Sequence, residues 1–294
     1  MQKKLPAKGA FSVVGDQTGE CMERIESAEN TKIKWAAALH MRKERERREE
    51  FVAEGIRLTE TAAASSWPLL FCLVTETALQ DARVQAIVAV LVKRQCPVYL
   101  VSQAAYEKAS ATNTPQGILL VMKRKTVSLS SLRAKETPFL AVLDKVQDPG
   151  NAGTIIRTAD AAGCTGIVAL EGTVDLFSDK TVRSAMGSLF HLPIVVRATC
   201  AELHSYIEEN RVSCFASVLD KEAVPYFSVD YRRPVAVVFG NEGNGVSGEI
   251  GDCMPHVFIP MAGQTESLNV GTAAAIILYE AFRQRYSMGA CQQR

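Results

Sequence analysis

Short apolar runs alternate with helical patterns along most of the chain. A strand buried on both faces gives a continuous apolar run, whereas a helix lying on a sheet has apolar positions spaced three or four residues apart. Over residues 31–125 this alternation predicts a small α/β domain. Its predicted strands are 51–55, 69–74, 97–101 and 118–122, and its predicted helices are 32–50, 56–63, 82–93 and 103–110.

A second α/β domain is predicted from residue 138 to residue 294. Its apolar runs indicate about six strands in a mostly parallel sheet covered by helices. Residues 126–137 are polar and are interpreted as a linker, although Leu129 and Leu132 indicate some packing. Residues 1–30 lack a clean period and are interpreted as an extension with a short helix near its end. The predicted strands are 139–143, 166–170, 194–196, 214–218, 235–240 and 256–259, and the predicted helices are 153–162, 180–186, 200–209, 247–254 and 270–285.

Length and composition limit the class of protein. A chain of 294 residues with 47% hydrophobic content can form two cored domains. The longest apolar runs, 86–92 and 273–279, are too short to cross a bilayer, and residues 1–10 lack the apolar core of a signal peptide. The eight cysteines are scattered without a C-x-x-C pair. We therefore expect a cytoplasmic protein without disulfides, a metal site or a membrane segment.

The charge distribution is uneven. Residues 1–125 hold 19 Lys+Arg against 14 Asp+Glu, and residues 126–294 hold 14 against 18, so the net charges are +5 and −4. A mildly basic first half is compatible with a polyanionic partner. Within it, Arg45 and Arg48 are candidate phosphate contacts. The alternative is a solvated helix face with ion pairs between residues four positions apart.

Three polar loops at the ends of predicted strands carry the candidate chemistry. The first follows strand 139–143 and places Asn151 where a helix N-cap belongs, with Arg157 one to two turns further on. The helix around Arg157 is otherwise apolar, so a buried guanidinium there would need an anionic partner. The alternative is an arginine that reaches solvent or pairs with a neighbouring carboxylate.

The second loop, residues 240–247, has three glycines around Glu242 and Asn244, and Ser247 stands where the next helix begins. Glycines let a backbone approach a ligand closely. A phosphate-binding loop is the alternative, but neither G-x-G-x-x-G nor G-x-x-x-x-G-K-[ST] is present. Glu242 favours a hydroxyl-rich or cationic ligand instead.

The third loop follows strand 256–259 and runs from Pro260 to Gly271. Ser267 and Asn269 frame the start of a helix of small residues. A polar loop between a strand and a helix N-terminus is where open α/β sheets bind ligands. It is also compatible with an ordinary connection.

Together the three loops closely resemble the three motifs of the SpoU-type (TrmH-like) family of RNA ribose 2'-O-methyltransferases, in the SPOUT superfamily. The segment 179–193 resembles the block between the first two motifs, and residues 51–58 and 114–117 resemble the substrate-binding domain that often precedes the catalytic one. A serine is common in the family where Gly271 stands. The matching motifs are Asn151-x-Gly153-x-x-x-Arg157, Phe239-Gly240-x-Glu242-x-x-Gly245-x-Ser247, Ile259-Pro260-Met261 and Ser267-Leu268-Asn269-Val270.

The resemblance implies a fold and a set of roles. The fold is a C-terminal SPOUT α/β domain with a deep trefoil knot, preceded by a small α/β substrate-binding domain, in a homodimer. The catalytic group would be Arg157 with Asn151, Glu242, Ser267 and Asn269. S-adenosylmethionine would be bound by Phe239, Gly240, Asn241, Gly245, Ile259, Pro260, Met261, Ser267 and Leu268.

The implied reaction is methyl transfer to a ribose 2'-hydroxyl of structured RNA. Ribosomal RNA is favoured over tRNA because of the preceding domain, and Arg183 is a further candidate RNA contact. A tRNA ribose methyltransferase, a non-catalytic RNA-binding protein of the same fold and a nucleotide-dependent enzyme using the glycine loop are the alternatives. A histidine base is not expected, because the four histidines lie outside the motifs.

Overall fold

The computed structural model describes residues 14–15, 21–132, 137–220 and 222–286. The chain divides into two compact units, the first ending at Lys123 and the second beginning at Arg124. No helix in these described ranges is both long and apolar enough to cross a membrane.

The first unit is built on a six-stranded sheet in the order β1-β2-β5-β4-β6-β3. The pairs β2–β5 and β5–β4 are parallel and the other three pairs are antiparallel. One core contains residues of α1, α5 and the central strands. The elements are β1 (Val14–Gly15), β2 (Cys21–Ile25), α1 (Thr31–Ala38), α2 (Arg42–Arg48), β3 (Glu50–Glu54), α3 (Ile56–Ala64), β4 (Leu69–Thr75), α4 (Ala82–Lys93), β5 (Val98–Val101), α5 (Gln103–Ala109) and β6 (Ile118–Lys123).

Two features of this unit differ from the sequence predictions. The last part of the predicted extension, Cys21–Ile25, is a strand that pairs in parallel with β5. The helix predicted over 32–50 is two helices, because α1 ends at Ala38 with Leu39 as its C-cap and α2 begins after Met41.

Arg45 has a structural role in α2. It is 4% exposed and donates hydrogen bonds to the carbonyls of Leu39 and His40, both at 2.8 Å. These carbonyls lie at the end of α1, where backbone acceptors lack intrahelical donors. The prediction that Arg45 contacts RNA phosphate is therefore wrong, since its guanidinium is buried against the backbone.

The second unit is built on a seven-stranded sheet in the order β11-β13-β10-β12-β7-β8-β9, with every described pair parallel. One strand more is present than the sequence predicted. The elements are β7 (Phe139–Leu143), α6 (Pro149–Ala161), β8 (Gly166–Leu170), α7 (Asp179–Ser184), β9 (Ile194–Ala198), α8 (Cys200–Asn210), β10 (Ser213–Ser217), β11 (Val224–Pro225), β12 (Val235–Phe239), α9 (Gly248–Gly251), β13 (His256–Phe258) and α10 (Val270–Arg285).

Helices cover both faces of this sheet. Leu203 of α8 and Ile250 of α9 pack on one face against alternate residues of the strands, such as Val142 and Val238. Leu129 belongs to this core and Leu132 packs against it, so the polar segment after Lys125 is anchored to the second unit. On the other face α6 contacts β7 and β8, and α7 and α10 pack against α6. The carboxyl ends of all seven strands meet at one edge, since the sheet is parallel.

Candidate active site

A cavity of about 540 Å³ opens at the carboxyl ends of three neighbouring strands, β10, β12 and β13. Its walls are the loop after β12, the loop after β13 and the residues that follow β10. This volume lies in the range of small-molecule sites. The cavity is placed by the strand order, because β12 and β13 flank β10 although β10 precedes both in the chain.

The cavity collects most of the residues predicted to bind the cofactor. Pro260 is described but lies outside the lining. Catalytic candidates Glu242 and Asn269 also line the cavity, whereas Asn151 and Arg157 do not. The predicted cofactor residues that line it are Phe239, Gly240, Asn241, Gly245, Ile259, Met261, Ser267 and Leu268.

The last residue of β10 and the two residues after it were missed by the sequence interpretation. Ser217, Val218 and Leu219 line the cavity beside the two motif loops. The strand itself was predicted, but nothing in its apolar pattern indicates which strands become its neighbours. Glu266 also lines the cavity and adds a second carboxylate to that of Glu242. Two carboxylates suit a ligand that carries positive charge.

The loop after β12 folds tightly back on itself. The backbone amides of Asn241 and Gly245 donate to each other's carbonyls at 2.8 and 2.9 Å. A Cβ on Gly240 would overlap the backbone of Gly245 and Val246, so only glycine permits this approach. The Asn241 side chain accepts from the amides of Gly243 and Asn244 at 2.9 and 3.0 Å. The backbone that faces the cavity is thus fixed by hydrogen bonds within the loop.

Glu242 joins this loop to the start of α6. Its carboxylate accepts from the backbone amides of Gln147 and Asp148, both at 3.1 Å, and from the Asn151 side chain at 2.9 Å. Partial burial opposes ionisation, but these three donors outweigh it and hold the pKa of Glu242 below its usual value. Glu242 is therefore an acceptor at neutral pH and not a proton donor.

Asn151 is central to a chain of hydrogen bonds through all three motifs. Its amide nitrogen donates to Glu242, and its Oδ1 accepts from the amide nitrogen of Asn269 at 3.0 Å. Asn269 in turn accepts from the amides of Gly271 and Thr272 and so caps α10. The sequence separates these motifs by many residues, but the parallel sheet brings their strand ends together.

The N-cap of α6 differs from the prediction. Asp148, and not Asn151, caps the helix, with its Oδ1 accepting from the Asn151 amide at 2.8 Å. Lys180 binds the other oxygen of Asp148 at 2.9 Å. Pro149 fits the first helical position, so the helix begins earlier than predicted. Because it does not cap the helix, the Asn151 side chain is available to bridge Glu242 and Asn269.

Gly153 lets α7 approach α6. A Cβ at this position would lie 2.7 Å from the Thr181 carbonyl oxygen and 2.9 Å from the Ala185 nitrogen. These atoms are backbone and cannot rotate away, so the glycine of the first motif is required by packing. The segment 179–193, noted in the sequence for its resemblance, thus supports α6 directly.

Two of the five predicted catalytic residues lie apart from this chain of hydrogen bonds. Arg157 lies six residues beyond Asn151, about 9 Å along the helix axis. Its side chain is exposed, and it makes no hydrogen bond or ion pair within the described part of the chain. Ser267 lines the cavity, and its carbonyl accepts from the Thr265 hydroxyl at 3.1 Å.

The two remaining candidate RNA contacts lie on different units. Arg183 is exposed on α7. The Arg48 side chain is 31% exposed, lies 3.3 Å from the Glu44 carboxylate and stacks 5.2 Å from the centre of the Trp35 ring. Each guanidinium is solvent-accessible, unlike that of Arg45.

The second unit has a parallel sheet with a cavity between two glycine- and amide-rich loops. Helix α10, capped by Asn269 of the third motif, begins at the cavity wall. This sheet and cavity agree with the SPOUT-type RNA methyltransferase domain that the motif resemblance predicts. The donor set fits the cofactor, because backbone groups and two carboxylates can hold a nucleoside and a positively charged sulfonium.

Comparison with known families agrees with this class. Residues 138–279 match the SpoU rRNA Methylase family and residues 30–120 match the MRM3-like substrate binding domain. The chain is 38% identical to the 23S rRNA (guanosine(2553)-2'-O)-methyltransferase RlmP of Bacillus subtilis, over 88% of this chain and 98% of the relative. It is 32% identical to a 23S rRNA (uridine(2479)-2'-O)-methyltransferase of Streptomyces viridochromogenes, over 90% of this chain and 93% of the relative. The chain belongs to the SpoU rRNA methylase family.

A solved structure with bound cofactor has the same fold. The AdoMet-bound rRNA methyltransferase from Sinorhizobium meliloti superimposes with a TM-score of 0.81 at 32% identity, covering 90% of this chain and 99% of that one. The SpoU methyltransferase AviRb from Streptomyces viridochromogenes, in complex with AdoMet, gives a TM-score of 0.76 at 28% identity, covering 87% and 99%. S-adenosylmethionine is therefore the cofactor, and the protein is an RNA ribose 2'-O-methyltransferase.

Proposed function

We propose that this enzyme methylates a ribose 2'-hydroxyl of 23S ribosomal RNA. The observation that carries the proposal is the cavity with its attached chain Glu242–Asn151–Asn269, in a fold shared with named 23S rRNA methyltransferases. Two relatives that match over nearly the whole chain act on 23S rRNA, which favours this RNA over tRNA. A ribosomal substrate would place the reaction in the cytoplasm.

The cavity residues bind and orient the cofactor. S-adenosylmethionine, when bound, supplies an electrophilic methyl group on a positively charged sulfur. The backbone around Phe239, Gly240, Ile259 and Leu268 holds the nucleoside, while Glu242 and Glu266 offset the positive charge. The loops are fixed in advance by their own hydrogen bonds, so little ordering is needed on binding.

Arg157 acts on the ribose hydroxyl. A guanidinium keeps its proton in proteins, so Arg157 donates hydrogen bonds and does not serve as a base. Its role is to position the hydroxyl oxygen and stabilise the negative charge that develops on it. The hydrogen bond between Asn151 and Asn269 joins the first turn of α6 to the start of α10. It therefore fixes the N-terminal end of α6, the helix that carries Arg157.

RNA is held by surface arginines of both units. Arg48 of the first unit and Arg183 of the second are exposed enough to contact phosphate. Contacts of this kind position an RNA without reading its sequence. The first unit matches a substrate-binding domain and lies in the half of the chain with net charge +5, from 19 Lys+Arg and 14 Asp+Glu in residues 1–125.

The enzyme functions as a homodimer through α10. Thr272, Tyr279 and Arg283 are exposed on one side of this helix, with Ile276 partly exposed between them. Tyr279 is 49% exposed, so a large aromatic side chain lies on the surface of α10 beside the partly exposed Ile276. The exposed Thr154 of α6 adjoins Gly271 at the start of α10, and the exposed Arg157 follows it by three residues along α6.

Light scattering tests the dimer. Tyr279→Glu should give monomers, whereas Val90→Glu, at an exposed apolar position of the first unit, should leave the mass unchanged. A dimer that survives Tyr279→Glu would contradict this interface.

Methyl transfer itself is tested with labelled S-adenosylmethionine. We expect label in purified 23S rRNA, and we expect one ribose in cells to lose its 2'-O-methyl group when the gene is deleted. Label in tRNA alone would overturn the rRNA assignment. Cofactor binding without transfer to any RNA would instead favour a non-catalytic RNA-binding protein.

A further inference from the structure

A buried carboxylate lies behind the glycine-rich cofactor loop. Asp144 follows β7 directly and is 1% exposed. One of its oxygens, Oδ2, accepts from the backbone amide of Ser247 at 2.6 Å. Ser247 ends the loop whose other end begins at Gly240, so Asp144 holds the far end of the cofactor loop.

The near end of the loop is held by the next residue along the chain. The Asn241 side chain donates to the Lys145 carbonyl at 3.0 Å. Asp144 and Lys145 therefore hold both ends of a loop whose middle, at Glu242, is bound to Gln147, Asp148 and Asn151. Residues between the end of β7 and the first turn of α6 thus hold both ends and the middle of the loop 240–247.

Stability alone does not account for this carboxylate. The second oxygen of Asp144, Oδ1, is buried without a hydrogen-bond partner in the described ranges, and so is the Ser247 hydroxyl. An unpartnered buried carboxylate oxygen lowers the stability of a fold. Residues that break a packing rule in this way are expected where function requires them.

We propose that Asp144 is a positioning residue for S-adenosylmethionine. It does not contact the cavity, since it is absent from the lining. Its hydrogen bond with the Ser247 amide fixes the position of the loop end. The loop backbone from Gly240 to Gly245 then presents its amide and carbonyl groups to the cofactor. Loss of Asp144 leaves that partly buried amide without an acceptor, so the loop end moves and the cavity wall is no longer pre-formed.

Thr173 provides a matched control on the other side of the same strand end. It is 8% exposed, accepts from the Lys145 amide at 3.1 Å and donates to the Leu143 carbonyl at 2.9 Å. Thr173→Val removes one buried and one partly buried hydrogen bond on either side of Asp144, and it leaves in place the bond from Asn241 to the Lys145 carbonyl and the bond from Ser247 to Asp144. It should lower Tm and leave cofactor affinity unchanged.

The test is calorimetric titration of the full chain with S-adenosylmethionine. Asp144→Ala should raise Kd by about tenfold or more, the loss expected for a hydrogen bond to a charged group. Asp144→Asn keeps an acceptor oxygen of the same size and should restore part of the affinity. The RNA dissociation constant should not change in either variant.

Hydrogen exchange gives a readout that does not depend on catalysis. Asp144→Ala should speed exchange at residues 240–247, while residues 166–170 of β8 keep their protection. Equal Kd values for Asp144→Ala and the unaltered chain would overturn the role, and so would an equal rise in Thr173→Val. The inference rests on cofactor binding by this site. If the unaltered chain bound no S-adenosylmethionine, both the proposed function and the role of Asp144 would be refuted. If the unaltered chain bound the cofactor but transferred no methyl group to RNA, only the proposed function would be refuted.

Discussion

The side-chain amide of Asn269 donates to Oδ1 of Asn151 over 3.0 Å and joins two segments that are 118 residues apart. The same Asn269 accepts from the first amides of α10, and the same Asn151 donates to Glu242. Two neutral side chains thus connect the cofactor cavity to the helix that carries Arg157.

Asn151→Asp should disable this connection. The new carboxylate would lie beside that of Glu242 in place of a donor at 2.9 Å, and like charges at that distance repel. We expect a loss of about 0.5–1.5 kcal/mol in unfolding free energy, the usual net contribution of a hydrogen bond, and weaker cofactor binding by calorimetry. Asn113→Asp, at an exposed position of the first unit, is the control and should change neither quantity. Normal cofactor affinity in Asn151→Asp would contradict the connection.

Arg157→Ala should remove methyl transfer without affecting the fold. Because Arg157 is exposed and has no partner among the described residues of this chain, its loss should not change Tm or the Kd for S-adenosylmethionine. We expect kcat to fall by about 10²-fold or more, as when a donor to a developing oxyanion is removed. Arg157→Lys should not restore the rate, because an ammonium lacks the planar fork.

Single-turnover transfer to 23S rRNA measures this effect. Arg211→Ala, an exposed arginine at the end of α8, should retain full activity. Unchanged transfer by Arg157→Ala would remove Arg157 from the mechanism.

Arg285 anchors the end of α10, and Arg285→Lys should destabilise the second unit. Its guanidinium donates to the carbonyls of Tyr231 and Arg233, both at 2.6 Å, and to that of Pro138 at 3.1 Å. A lysine cannot reach three carbonyls from one planar group. We expect a loss of about 1–3 kcal/mol in denaturant unfolding. Arg283→Lys, on the same helix with a side chain that is 71% exposed, should change stability by less than about 1 kcal/mol.

The pair His256–Asp220 should make stability depend on pH. The Gly251 carbonyl and the Asp220 carboxylate outweigh partial burial and raise the pKa of His256. Since the unfolded value is about 6.5, the pair contributes fully below that pH, and its contribution is lost as the pH rises through the raised value.

Thermal unfolding of His256→Gln across this window measures the effect. The Tm deficit of the variant should be largest at about pH 5.5 and should shrink towards about pH 9. Asp220→Asn should give the same pattern, and the double variant should lose no more than either single one. A deficit that is constant with pH would show that the pair is not charged.

Much of this protein follows from local sequence. Most strand and helix positions in both units are readable from periodicity, since apolar runs and amphipathic spacing report burial directly. The cavity residues at Phe239, Gly240 and Leu268 follow from motif resemblance. The threading of the C-terminal segment through a knot stays a prediction, because it depends on the path of the chain and not on the identity of its residues.

Other features could not be read from local patterns. Asp148, and not Asn151, caps α6, and the adjacent Pro149 is a local signal for that start; the bond from Asn151 to Glu242 has no such signal. Arg45 is buried because α1 ends at Ala38 with Leu39 as its C-cap and presents free carbonyls to it. The sequence of a charged helix does not indicate which arginine will donate hydrogen bonds to backbone carbonyls of a neighbouring helix.

The sequence by itself determined most of the strands and helices and the three loops, because short-range preferences and hydrophobic spacing act within a few residues. The tertiary structure alone decided that β12 pairs with β7 and that β10 lies between β12 and β13. That order brings Ser217–Leu219 into the cavity wall and places Asp144 beneath Ser247. Hydrogen bonds between side chains some hundred residues apart exist only after the sheet has formed, and for that reason no window of the sequence contains them.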